Sequence, residues 1–593
     1  MTLLSFLGAT ALVALLTYLI VGRMQRSDNV TEEFFTGGRS LSWGVVAGSL
    51  LLTNISTEQL VGLNGNVFKD GNLVGIAWEA LAAFAMIATA LLFLPRYLAS
   101  GFTTTTAFLE ERFDRQTRQI VAGLFLLGYI VVLLPTVLYT GALAMQSIFG
   151  VSYPLWTVIA AIGLIGSAYA IFGGLKSVAV SDTINGVGLL IGGLAVPFLA
   201  LSLLGDGSAI EGLGKLVEKS PEYLTPLALK NRSGGEVSVP WPTLLTGMMF
   251  IQVFYWSTNQ VVVQRALGAR NLAEGQKGVL FASLMKLVGP LMLCLPGIIA
   301  LHMLNDLTLT FDPAALKNKL TPENLSNPDL KDAIAYTQTL VSQHTAEFSL
   351  SLKDADQLAP LGLVNDRVYP IMIRHVITSP IALGLFAAVI FGSILSSFNS
   401  ALNSASTLFC LEFYEHSYPA AEDEAGRVTR AEHIVKVGQY FGISLAVLAV
   451  CIAPQLARME TIFEYLQKAN GLFSVPVISI FLVGILTKRA PARGAKLAII
   501  SGVLMYTLFT FWEPITGTAP VMHWLHGYAI SFAVAVSTLL ISGAIAPRDL
   551  SAQPTEARVA PVDMTPWSLA VPASIVIVAL TVASYAALYF LAQ

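Results

Sequence analysis

Apolar runs of about twenty residues, the length that crosses a bilayer as a helix, recur near 3–22, 43–67, 73–95, 119–149, 153–173, 178–204, 240–264, 278–304, 377–412, 437–456, 461–487, 494–512, 523–546 and 567–591. The pattern predicts an all-α polytopic membrane protein with about fourteen transmembrane helices. Inside the second run the pattern fails, because Thr53, Asn54, Ser56, Thr57, Glu58 and Gln59 surround Ile55. Each unpaired polar group costs several kcal/mol in hydrocarbon. Thr, Asn and Ser also compete for backbone hydrogen bonds. The helix is therefore expected to open here, line a protein cavity and offer freed carbonyls to a small cation. The plainer alternative is a polar kink that glues helices together. We read the stretch as the transport site.

Four more polar groups interrupt apolar runs. Glu79 is the only acid of the third run, and a simply protonated, hydrogen-bonded carboxyl is its plain alternative. Lys286 lies in the eighth run, about half a dozen residues past its start, too deep to snorkel, so it needs an anion, a ligand or water. In the seventh run, Gln252-Val-Phe-Tyr-Trp-Ser-Thr-Asn-Gln260 sets Tyr255 and Trp256 beside an amide and hydroxyl ladder. That combination suits a sugar-like ligand, although such aromatics also form interfacial belts. Between Ser393 and Thr407 the ninth run is rich in small polar residues, and Ser393, Ser396 and Ser397 share one helical face. Three oxygens there and two carbonyls of an opened helix would make a five-oxygen site for a monovalent cation. A small-residue packing face fits the same spacing.

Composition narrows the class. The chain has 593 residues, 55% hydrophobic and 12% charged, with a mean hydropathy of +0.69, far too apolar for a soluble protein of this length. The net charge of -3, with no basic arm, argues against nucleic acid. Cys294, Cys410 and Cys451 have no metal spacing and read as packing residues. No phosphate-binding GxxxxGK[ST] loop is present to drive an ATP pump, and no His or acid pair is placed for an enzyme's nucleophile. The apolar first run lacks a basic region before it and a cleavage site after it, so it reads as a retained helix.

Odd-numbered connections carry most of the basic residues near run ends, among them Arg23, Arg26, Arg96, Arg112, Lys176, Arg265, Arg270, Arg430, Lys488, Arg548 and Arg558, while short even connections carry only Lys69 and Arg458. The positive-inside rule then puts odd connections in the cytoplasm and both termini outside, as in a bacterial inner membrane. The long even connections 205–239 and 305–376 would form a partly helical external cap.

Taken together, the motifs resemble the solute:sodium symporters, and among them the sodium/glucose cotransporter branch. The resemblance runs from Glu33-Phe-Phe-Thr-Gly-Gly-Arg-Ser40 through Asn54-Ile-Ser-Thr-Glu-Gln-Leu-Val-Gly62, Tyr169-Ala-Ile-Phe-Gly-Gly174, Ser181-Asp182, Tyr255-Trp256, Gln264-Arg265, Lys286-Leu287 and Leu402-Asn-Ser-Ala-Ser-Thr-Leu-Phe409, to about Gly484. It implies a leucine-transporter-type core of two inverted five-helix repeats, at 43–204 and 240–487. One extra N-terminal helix (3–22) and three extra C-terminal helices (494–591) flank the core within a single transporter domain. The implied function is sodium-coupled symport of a sugar or polyol across the bilayer, with no cofactor beyond the coupling ion.

Residue by residue, the resemblance implies sodium ligation by the carbonyls of Leu52 and Ile55 and by Ser393, Ser396 and Ser397. It implies substrate contacts from Asn54, Gln59, Glu79, Lys286 and Gln467. It places an inner gate at Tyr255 beside Trp256, and an outer gate at Leu63, Trp78 and Phe463. Asp182 matches an acid on the sodium exit route or near a second sodium site. Three positions depart from the sugar-transporter pattern: Gln252, a candidate substrate contact, replaces Asn or Thr, while Leu133 and Ala82 replace hydrogen-bonding groups. An unpaired ligand hydroxyl costs about 1–3 kcal/mol, so these changes bear on which hydroxyls are read. The alternatives are proton coupling through Glu79 or Asp182, and sodium symport of another small polar solute such as a sugar acid or inositol.

Overall fold

The computed structural model describes residues 1–24, 33–35, 37–150, 153–321, 324–325, 330–361, 363–415, 417–419, 424–458, 462–518, 520–548 and 562–593. Arg26, Thr36, His416 and Arg558 lie outside the described residues, as do the side chains of Tyr169–Gly173 and Arg458.

The helices follow the apolar runs. They are α1 (Thr2–Val21), α2 (Trp43–Asn54), α3 (Thr57–Asp70), α4 (Val74–Ala99), α5 (Arg115–Phe149), α6 (Leu155–Leu204), α7 (Ala209–Lys219), α8 (Gly247–Ser257), α9 (Gln260–Leu267), α10 (Leu272–Met285), α11 (Gly289–His302), α12 (Lys331–Gln343), α13 (Val368–Val376), α14 (Pro380–Tyr414), α15 (Gly426–Leu456), α16 (Ile462–Leu486), α17 (Ala492–Thr510), α18 (Trp524–Ile545) and α19 (Ala570–Leu591). Among the described residues, ten helices are individually long and apolar enough to cross a membrane, or eleven with the pair α10–α11, which bends by 48°. The difference from the fourteen expected runs has a physical cause. The second and seventh runs are split into the half-helices α2/α3 and α8/α9, and the fifth is the shorter apolar stretch Leu155–Ser167 at the head of α6.

Local chemistry sets these boundaries. Pro380 at the first turn and the Ser379 hydroxyl, which accepts from the Ala382 N–H (3.4 Å), start α14. Asp114 caps α5 through the Thr117 N–H (2.7 Å), and Asn271 caps α10 through the Glu274 N–H (2.8 Å). Such side-chain acceptors satisfy the orphan N–H groups of a first turn. The fifth and sixth runs form one helical stretch, broken at Gly174. There φ is 59° and ψ is -176°, a conformation open to glycine and strained for other residues.

Helices α2, α6 and α14 pack on one another and α1 packs on α14, while α8 packs against α4 and α16, and α17 against α18. The long connections 205–239 and 305–376 are partly helical as expected, through α7, α12 and α13. They also hold a hairpin that the sequence reading lacks, strands β1 (Thr308–Phe311) and β2 (Phe348–Ser351), paired antiparallel with Thr308 opposite Ser351. The two connections meet in a bidentate pair, where Arg232 donates to both Asp356 oxygens at 2.8 and 2.7 Å.

One basic residue counted in a cytoplasmic connection is elsewhere. Arg265 lies in α9 and is 0% exposed. The seventh run starts and ends later than its apolar pattern, because Pro240 and Pro242 lead into a single tight turn at Trp241–Leu245 before α8 begins. Buried polar partners then carry the charged residue inside.

Candidate functional site

The second run opens where its polar residues cluster. Ile55 (φ -87°, ψ 93°) and Ser56 (φ -126°, ψ -173°) leave helical geometry, so the carbonyls just before the break lose their helical donors. Two hydrogen bonds then tie the break to α14. Ser56 Oγ donates to the Ser393 carbonyl (3.4 Å), and Ser397 Oγ donates to the Thr53 carbonyl (3.3 Å). The fold thus brings Leu52, Ile55, Ser393, Ser396 and Ser397 into one buried neighbourhood. The hydroxyls of Ser393 and Ser396 are buried without a partner among the described residues. Buried orphan oxygens are rare in proteins and ask for a ligand, ion or water.

Asn54, the residue before Ile55, belongs to a second cluster. Lys286 Nζ donates to Asn54 Oδ1 and, at 2.8 Å, to Glu79 Oε2. Both charged side chains are buried, with exposures of 0% and 2%, and the ammonium stands 5.1 Å from the Trp256 ring centroid. The sequence asked what Lys286 and Glu79 pair with in the apolar interior; here they pair with each other. Gln59 is buried with its Oε1 unpartnered among the described residues. Gln467 is also buried, and its backbone carbonyl accepts the Tyr528 hydroxyl at 2.6 Å. Gln252 has its amide engaged already, donating to the Trp78 carbonyl at 2.8 Å.

Aromatic contacts close the cluster. Trp78 and Phe463 meet edge to face at 5.2 Å, and Leu63, one residue after Gly62, is buried. This approach requires Gly62, since a Cβ there would come 2.7 Å from Phe463 Cβ. Tyr255 and Trp256 pack edge to face at 5.3 Å, Trp256 being the ring beside the Lys286 ammonium. The seventh run breaks just below them, and Asn259 caps the next half-helix by accepting from the Val261 N–H at 3.1 Å. Its Oδ1 also takes the Tyr129 hydroxyl at 2.6 Å.

Asp182 accepts from Ser49 Oγ at 2.9 Å and lies 4.0 Å from the Arg265 guanidinium. It stands beside Ser396, although neither its Oδ1 nor Ser396 Oγ has a hydrogen-bond partner among the described residues. Arg265 is a polar partner that the sequence reading left out of the site. By sequence its charge falls just past an apolar run, as loop charges do, and only its place one residue after Gln264 in a broken run signals otherwise.

The profile of the Sodium:solute symporter family matches residues 34–340 and 333–502. The chain is 36% identical to the uncharacterized symporter YidK of Escherichia coli, over 99% of this chain and 90% of that protein. It is 29% identical to the sodium/glucose cotransporter of Vibrio parahaemolyticus, over 82% and 80%. It is 28% identical to human sodium/myo-inositol cotransporter 2, over 81% of this chain and 65% of that protein. Among solved structures, a substrate-bound, outward-open sodium-coupled sialic acid symporter superposes with a TM-score of 0.68 at 18% identity, covering 93% and 99% of the two chains. That likeness gives the leucine-transporter-type fold. With the profile spanning most of the chain and the broken helices in place, the protein belongs to the sodium:solute symporter family, whose members are multi-pass membrane transporters.

Proposed function

We propose that the protein imports a sugar or polyol coupled to sodium by alternating access. One observation carries the reading: consecutive residues at the break, Asn54 and Ile55, face the two halves of the chemistry. Asn54 is bonded to Lys286, while the break at Ile55–Ser56 is tied to Ser393. Sodium held by the Leu52 and Ile55 carbonyls with Ser393, Ser396 and Ser397 would fasten α2 and α3 to α14. The same ion would fix Asn54 and Gln59 for the substrate. Glu79 and Lys286 would exchange part of their mutual contact for substrate hydroxyls, with Gln252 and Gln467 completing the polar wall. Trp78, Leu63 and Phe463 serve as the outer gate, and Tyr255 with Trp256 as the inner gate. In this reading 43–204 and 240–487 are the two inverted repeats, each opening with a broken run. The basic residues at the odd connections support an orientation with both termini outside the inner membrane.

A second reading has its own support. Asp182 is a buried acid with one oxygen unpartnered among the described residues, a group that could carry a proton instead. The deciding experiment is uptake of a panel of radiolabelled sugars, polyols, inositols and sugar acids into proteoliposomes, under a sodium gradient or a proton gradient. Sugar or polyol uptake driven by sodium alone is the expected result. Uptake that follows the proton gradient without sodium overturns it.

A further inference from the structure

Helix α9 carries Arg265 to a place no water reaches, 0% exposed. Its guanidinium donates to the Val261 carbonyl and the Ser400 hydroxyl. It lies 4.0 Å from the Asp182 carboxylate, and its Nε has no partner among the described residues. Asp182 is held on one side by Ser49, while its Oδ1 is unpartnered among the described residues. Along α14, Ser393, Ser396 with Ser397, and Ser400 repeat at three- and four-residue spacing, so one face joins the proposed ion site to the arginine. Ser396 and Ser400 are four residues, or about one turn, apart, roughly 6 Å along the axis.

A buried carboxylate without a counter-charge is strongly destabilising, whereas a pair removed together is often neutral. Asp182, Ser49 and Ser396 offer a carboxylate and two hydroxyls, the oxygen donors that hard cations take. The guanidinium stands beside them as a positive charge bound covalently to the chain. We propose that Arg265 is a tethered cation, which neutralises Asp182 and blocks the polar face of α14 below the sodium site. A sodium ion moving along that face has to displace it. Arg265 is thus a positioning residue acting through Asp182. The idea rests on the sodium-symport reading above, and its test separates the two.

The test is equilibrium binding of radioactive sodium to the purified full chain in detergent, counted as ions per protein, for wild type, R265Q, R265K, D182N and the double variant D182N/R265Q. Sodium binding by wild type is expected; its absence overturns the symport reading and this inference with it. With wild type binding, R265Q is expected to bind one additional sodium per protein, or to bind sodium about tenfold tighter, because Asp182 gains an ion in place of the guanidinium. R265K should keep the wild-type count, and the double variant should lose the gain. R265Q with the wild-type count and affinity overturns the inference alone, as does a gain that survives in the double variant. If R265Q does not give folded protein, the double variant decides. Recovery of folded protein with both charges removed supports the pairing, and failure to recover overturns the inference, because the fold then needs the Val261 and Ser400 contacts of Arg265 and not its charge opposite Asp182.

Discussion

Lys286 Nζ lies 2.8 Å from Glu79 Oε2, with both side chains almost wholly shielded from water. Removing one member of such a pair strands the other charge, at a cost of about 3–5 kcal/mol, while replacing both with apolar groups is often tolerated. Lys286→Ala and Glu79→Ala should therefore each lower the melting temperature in detergent, and Lys286→Met combined with Glu79→Leu should recover much of it. Substrate binding should stay lost in the double variant, because the hydroxyl partners are gone. Substrate binding that survives in the stable double variant would place the cavity elsewhere.

Ser396→Ala and Ser397→Ala each take one oxygen from the proposed ion site. If a ligand oxygen is worth about 1.4 kcal/mol, apparent sodium affinity falls about tenfold. Ser397→Ala also removes the bond to the Thr53 carbonyl, so it should be the more damaging of the two. A sodium titration of uptake checks both; unchanged half-saturation in each variant rejects the site.

Gln467→Ala should weaken substrate binding more than sodium binding, since its side chain is assigned to substrate hydroxyls. Its backbone carbonyl keeps the Tyr528 bond in the variant, so the helix should hold its place. Parallel titrations of substrate and sodium on the same preparation separate the effects, and equal losses in both would contradict the assignment.

Coupling should be reciprocal. If sodium ties the Ile55 break to α14 and thereby orders Asn54, sodium and substrate tighten each other by one factor, about 5–150-fold for a coupling of about 1–3 kcal/mol. Equilibrium substrate binding with sodium replaced by choline measures it. A substrate affinity indifferent to sodium removes the basis for cotransport at this site. Tyr255→Ala, which removes the side chain proposed as the inner gate, should reduce coupled accumulation more than binding.

Asp366 sits in the long connection 305–376, outside the spans, where burial raises its carboxyl from an ordinary 3.8 to about 6. The Ile462 N–H (3.5 Å) and the charges of Lys319 and Lys69 oppose that rise without cancelling it. A raised acid binds more protons folded than unfolded, so it lowers stability as pH climbs from about 4 to about 6. Asp366→Asn should flatten that slope and melt higher than wild type near neutral pH. Parallel melting curves across this pH range test it, and an unchanged slope contradicts the assignment.

The sequence by itself determined the membrane class, the helical runs and the place where the second run opens. Each of these is a local consequence of solvation: about twenty apolar residues must be helical in lipid, and six polar groups around Ile55 cannot stay in an unbroken apolar span. It also marked Lys286 and Glu79 as residues in need of partners, with Glu79 or a neighbouring amide among the candidates for Lys286. Only the tertiary structure decided that they pair with each other and with Asn54, since these residues sit on three separate runs and no local rule encodes that meeting. It likewise moved Arg265 from an expected loop to the interior. There, Ser400 on α14 and Asp182 on α6 supply contacts that the residues around position 265 do not reveal.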